Sequence, residues 1–155
     1  MRRICLLAGF LFLTFLPALA GHSPPKIFLR IHVQTSGEGQ SALQVAKIKI
    51  PPSDEEIMIR TIPEVSERNL VGVSQDSNGL HLTFDHVGMV NLNAVTAQNQ
   101  GRILVVLIDG YVIYAPIIDE QISNGQLDIP RQISPQILAL LQDVAKQNIR
   151  QANKA

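Results

Sequence analysis

The chain has 155 residues, of which 46% are hydrophobic and 17% charged, and its thirteen basic and thirteen acidic side chains leave a formal net charge of +0. This composition suits one modest globular domain and excludes a disordered or collagen-like chain. With no basic excess, there is no electrostatic reason to expect nucleic acid as a partner.

Arg2-Arg3, an apolar run from Ile4 to Leu16 broken only by Gly9 and Thr14, and Pro17-Ala18-Leu19-Ala20 form the pattern of a secretory signal, so residues 1–20 are expected to be removed after Ala20. The run is shorter than the roughly 20 residues that span a bilayer as a helix, and no later stretch matches it. A periplasmic or secreted chain with no membrane span after cleavage follows. The only cysteine, Cys5, stands at the start of that run rather than at the cleavage point, which argues against a lipid anchor and leaves no thiol for a disulfide or a nucleophile.

Lys26 to Thr35 alternates, with Ile27, Leu29, Ile31 and Val33 on one side and Arg30, His32 and Gln34 on the other, and predicts a half-buried strand. A loop at 36–41 separates it from strands at Leu43 to Ile50 and Glu56 to Ile62, closed by Pro51-Pro52 and Pro63. Leu70 to Ser74 and Leu80 to Phe84 flank Gln75-Asp76-Ser77-Asn78-Gly79, a hairpin whose Asn-Gly supplies positive φ. Asp85 is placed to cap a helix with Val87, Val90, Ala94 and Val95 on its apolar face, stopped by Gly101. A second helix starts at Ser134 with Pro135 in its first turn and carries the stripe Ile137, Leu138, Leu141, Val144, Ala145 and Ile149, before a frayed tail at 151–155. The expected architecture is α+β, a mainly antiparallel sheet with two amphipathic helices on one face.

Between the helices, Arg102 to Pro116 reads as two strands joined by Asp109-Gly110, a dipeptide suited to a two-residue turn with both residues at positive φ. A simple two-residue turn would place Leu104, Val106, Ile108, Tyr111, Ile113 and Ala115 on one face and Ile103, Val105, Leu107, Val112, Tyr114 and Pro116 on the other. Both faces are apolar, so both need cover. Either segment 116–133 folds back over the second face, or a partner covers it, an extended polypeptide or a second copy of the chain.

The string Gly88, Leu92, Thr96-Ala97-Gln98-Asn99-Gln100-Gly101-Arg102, then Ile108-Asp109-Gly110-Tyr111-Val112, Ala115-Pro116-Ile117-Ile118, Ile122 and Gly125 resembles the head subdomain of the large periplasmic domain of SecD, the accessory subunit of the bacterial preprotein translocase. The likeness is continuous from Gly88 to Ile129 and extends more weakly from about Ile57 to Ala145. It implies that Gly88, Thr96, Asn99, Gly101, Asp109, Gly110, Ala115, Pro116 and Gly125 are structural, that residues 57–150 are head-like and join 21–56 in one globular unit, and that the chain is a binding head without the family's membrane motor. Two departures, Tyr114 before Ala-Pro and Pro130-Arg131-Gln132-Ile133 before the last helix, imply a groove of altered shape. Lys26 to Ile50 lacks a clear counterpart and is expected to cover a sheet edge in place of the family's base subdomain.

Candidate chemistry is thin. His81, Asp85 and His86 could suggest a metal or hydrolytic site, but Asp85 already serves as a cap and no third ligand is placed. Asp109, Asp119 and Glu120 are accounted for by a turn and an exposed connection. Ser74, Ser77 and Ser123 lack a nucleophile elbow, and Gly37-x-Gly39 precedes no helix. No enzyme, cofactor or metal is expected. The reading is an exported module that binds an extended polypeptide or an envelope protein through Tyr111, Ile113, Tyr114, Ile117 and Ile118. The alternatives are a self-associating envelope protein or a small periplasmic hydrolase.

Overall fold

The structure is a computed structural model that describes residues 27–38, 41 and 43–154, so the expected signal peptide lies outside the described residues. Strands β1 (Leu29–Val33), β2 (Val45–Ile50) and β3 (Glu55–Arg60) precede the two-residue β4 (Val65–Ser66) and a single 3-10 turn at Glu67–Asn69. The hairpin β5 (Leu70–Gln75) and β6 (Leu80–Phe84) leads into α1 (His86–Gln98). Then come β7 (Leu104–Ile108), β8 (Tyr111–Tyr114), β9 (Gln126–Ile129) and α2 (Pro135–Ala152). All strand pairs are antiparallel, and they form sheets of order β4-β1-β7-β8, β2-β3 and β5-β6-β9. The expected α+β class is what the chain adopts.

Local chemistry sets these boundaries. Asp85 Oδ1 accepts from the Gly88 amide at 2.7 Å, and Ser134 Oγ accepts from Ile137 N at 3.4 Å with Pro135 in the first turn, so both helices start where the caps predict. Helix α2 continues to Ala152, two residues into the expected tail. Asp109 and Gly110 have φ of 49° and 85°, the predicted two-residue turn, and Asp109 Oδ1 also accepts from Phe28 N at 2.8 Å. In the β5–β6 connection Asp76 Oδ1 accepts from the amides of Asn78 and Gly79, and of that Asn-Gly pair Gly79 alone has positive φ.

The main core lies between one face of the four-stranded sheet, the three-stranded sheet and the two helices. Ile27, Leu29, Ile31 and Val33 point into it as their alternation predicts, opposite Leu82, Ile129, Leu92 and Leu141. Of the face expected to turn inward on helix α1, Val95 does so and the other three residues do not. Gly88, Leu92, Val95 and Thr96 are buried, whereas Val87, Val90 and Ala94 are exposed. Thr96 tolerates burial because its hydroxyl donates to Leu92 O at 2.7 Å, and Gly88 fits because a Cβ there would sit 2.8 Å from the Cβ atoms of Phe84 and Asn69.

The second face of the β7–β8 hairpin is covered by the chain itself. Ile57 and Ile59 of β3 pack on Val105 and Leu107, with Ala46, Ile48, Ile50, Ile103 and Val112 around them. This corrects the expectation of a returning 116–133 segment or a partner, because 116–133 instead contributes Ile118, Ile122, Leu127 and Ile129 to the main core. It also relocates the N-terminal strands. Rather than covering an edge, β1 is inserted between β4 and β7, and β2 pairs with β3 over the sheet's face.

One register differs as well. Ile108 pairs Tyr111 and Leu107 pairs Val112 as a two-residue turn requires, but Val106 then pairs Tyr114, so Ile113 is an extra residue in a β-bulge. Beyond it the side chains change faces. Tyr114 therefore packs with Ile113 against the main core, not on the opposite face.

Candidate functional site

The bulge, the β8–β9 connection and the outer edges of two sheets together frame a cleft of about 340 Å³. Strand β8 ends the four-stranded sheet and β9 ends the three-stranded one, and residues of both border the cleft: Tyr114 on one side, Gln126, Leu127 and Asp128 on the other. Its remaining wall is the segment from Pro116 to Asn124, over a floor that includes Leu104 and Thr96.

The expected binding residues divide at this cleft. Tyr114, half-buried, and Ile117, 64% exposed, line it. Ile118 also borders it but is 4% exposed and belongs to the core, which makes it floor rather than contact surface and corrects its assignment as an accessible anchor. Ile113 packs on the core, and Tyr111, 78% exposed, stands beside the Asp109-Gly110 turn, outside the cleft lining. Asp119, Glu120 and Asp128 bring three carboxylates to the lining, with no lysine or arginine among the described lining residues. Sequence reasoning missed the β9 side of the cleft, although Gln126 to Ile129 alternates exposed and buried as a short edge strand does.

The expected structural residues brace this cleft. Thr96 Oγ1 accepts from Ile122 N at 3.0 Å and ties the wall to α1, helped by a hydrogen bond from Gln121 Nε2 to Asn93 Oδ1. Asn99 Nδ2 closes the end of α1 on Val95 O at 2.8 Å, and the backbone of Gly101-Arg102 is tied to Ile118 of the wall, Gly101 N donating to Ile118 O and Ile118 N to Arg102 O, both 2.8 Å. Pro116 O accepts from Leu104 N at 2.9 Å and holds the wall to β7 just beyond Ala115. Gly125 lies so close to α1 that a Cβ would meet Met89 Cβ at 2.9 Å, and its carbonyl accepts from Phe84 N.

Of the groups considered for metal or catalytic chemistry, His81 and Asp85 are engaged by neighbouring side chains and backbone. Both ring nitrogens of His81 meet carboxylates, Asp128 at 2.7 Å and Asp76 at 3.1 Å, and the pKa of the ring is raised, chiefly by the hydrogen bond to Asp128 and then by that to Asp76. The same contact lowers the Asp76 pKa, with help from the Asn78 amide. Asp85 caps α1 and also accepts from Asn69 Nδ2 at 3.2 Å, and His86 is exposed at the helix start. Among the described residues no cluster of three metal-ligating side chains occurs. No described helix is long and apolar enough to cross a membrane.

Residues 44–141 match the family model described as the SecDF P1 head subdomain. This carries the likeness back from Ile57 to include β2, and leaves β1 outside the matched span. The protein translocase subunit SecD of Desulfurispirillum indicum is 40% identical over 53 residues, which are 34% of this chain and 10% of that protein. A solved structure described as that of "a membrane component SecDF that enhances protein export" superposes with a TM-score of 0.55 at 20% identity, covering 79% of this chain and 63% of that one. A second, SecDF in a "Super-membrane-facing form", gives 0.53 at 22% identity and covers 74% and 18%. The chain thus spans a tenth of the curated relative it matches, and at these identities the superpositions speak to the fold. With well over half its length inside the matched span, the chain belongs to the SecDF P1 head subdomain family.

Proposed function

We propose that this chain is an exported, non-enzymatic module that holds an extended polypeptide in the cleft between β8 and β9, in the service of protein export across the cell envelope. The observation that carries this reading is the meeting of two terminal strands, each the last of its sheet, at one cleft with Tyr114 and Ile117 on its rim. A strand edge offers unpaired backbone groups to an extended chain, and the neighbouring side chains supply apolar contact, the arrangement of β-strand addition. Tyrosine suits such a rim because its ring gives broad contact and its hydroxyl can bond a peptide carbonyl at little entropic cost. Family membership supports the export context, since a relative's structure is described as enhancing protein export. The apolar run and cleavage pattern at 1–20 support a location outside the cytoplasm.

The test is binding of unfolded, apolar-rich peptides by the purified protein, compared with Ile117→Ser and Tyr111→Ser. Ile117→Ser, at an exposed position, should weaken binding severalfold with an unchanged unfolding midpoint, and Tyr111→Ser should leave it unaltered. Undetectable binding by the parent, or equal binding by the parent and both variants, contradicts the reading.

A further inference from the structure

At the Asp109-Gly110 end of the sheet the β2–β3 cover stops short, and a groove of about 650 Å³ opens on the face opposite the main core. Its apolar walls are Ala46, Ile59, Leu107 and the ring of Phe28, itself 43% exposed. Arg30 stands among them, directly across from Leu107 in the β1–β7 register, with its guanidinium 5.4 Å from the centre of the Phe28 ring. Among the described residues Arg30 has no carboxylate partner, unlike Arg60 at the rim, which pairs Glu64 at 3.3 Å. Asp109 is the single acid among the described lining residues, and its carboxylate is already engaged by the Phe28 amide.

A guanidinium with no ion-pair partner among the described residues, set in an apolar groove of the size that holds small ligands, favours one ligand chemistry. We propose that this groove binds an amphiphilic carboxylate of the medium-chain fatty acid type, its head bidentate on Arg30 and its tail along Leu107, Ile59 and Ala46. The planar guanidinium fork matches a carboxylate, and the surrounding methyl and ring surface matches a hydrocarbon chain. The site lies on the other face of the sheet from the β8–β9 cleft and does not depend on polypeptide binding there.

The experiment titrates the full chain with decanoate below its micellar concentration and follows the methyl resonances of Ala46, Ile59 and Leu107, with acetate and decyltrimethylammonium as controls. Saturable shifts of these methyls with decanoate alone are expected. Arg30→Gln, at an exposed position, should weaken decanoate binding roughly tenfold or more at an unchanged unfolding midpoint, as loss of a charge-assisted pair does. Arg30→Lys should lose less. Equal shifts with decyltrimethylammonium would mean an unselective apolar patch, and either that, an Arg30→Gln variant that binds like the parent, or shifts absent from the three methyls overturns the proposal.

Discussion

The two faces of the β7–β8 hairpin are buried by very different means. On one, among the described residues, nineteen buried side chains from both larger sheets and both helices form a continuous core; on the other, four buried side chains and their half-buried neighbours hold the β2–β3 hairpin in place. The smaller contact is supplemented by a polar tie, His32 Nδ1 donating to the Arg60 carbonyl at 2.8 Å, and by Thr35 N to Met58 O at 2.8 Å. The contrast teaches that the cover should open as a local unit of low stability, while the main core sets the global unfolding of the chain.

Truncation in the main core should therefore have the largest effect. Leu92→Ala, at a fully buried site, is expected to cost about 3 kcal/mol or more and to lower the unfolding midpoint for every probe of structure at once. On the other face, Ile59→Ala should cost roughly 2 kcal/mol, at the lower end for such truncations, and its mark should be faster amide exchange in 45–60 with the core amides unchanged. Equal exchange rates in the two regions after Ile59→Ala would remove the distinction. Gly110→Ala, with nothing within 4 Å of the added Cβ, isolates the turn's positive φ and should cost about 1 kcal/mol. Asp109→Asn should be nearly silent, because an asparagine oxygen tolerates the same turn and still accepts from Phe28 N.

Two histidines sharpen the comparison by pulling stability in opposite directions with pH. Burial, the dominant cause, and the nearby Arg30 lower the His32 pKa against the opposing hydrogen bond to Arg60 O. The unfolded chain therefore takes up its proton first, and the β2–β3 cover is expected to weaken as pH falls through the ordinary histidine value of 6.5. His81 behaves in reverse. Its pKa is raised, so its contribution is present below 6.5 and fades as pH rises through the raised value, while the Asp76 contribution is lost only as pH falls through a value lowered from 3.8. Amide exchange across pH 5 to 8 should show the cover loosening at the acid end, with the β6–β9 region, held by exposed pairs, changing least.

Much of this was legible because it depends on neighbours in sequence. The alternation of β1, the caps Asp85 and Ser134 and the Asp-Gly turn are local decisions, and each falls where the residues place it. What was not legible depends on partners distant in sequence. The bulge at Ile113 reassigns Tyr114 to the core face, and no periodicity within 102–116 announces it. Helix α1 is apolar on several sides, so its spacing favoured Val87 and Val90, whereas the buried face is chosen by where Gly88 can approach Phe84 and where Thr96 can satisfy its hydroxyl. Of the candidate site, Tyr114 was readable from the apolar hairpin, and Ile117 and the bracing residues through the family likeness, but the β9 edge opposite them becomes part of a cleft only through tertiary packing.

Pairing of an extended polypeptide with the sheet edges at the cleft is tested most directly by amide hydrogen exchange with and without a saturating apolar-rich peptide. Added protection is expected in 113–118 and 126–129, the two edges that border the cleft, with exchange in the β2–β3 cover unchanged. Protection confined to 45–60, or none at either edge while the peptide remains bound, would contradict it.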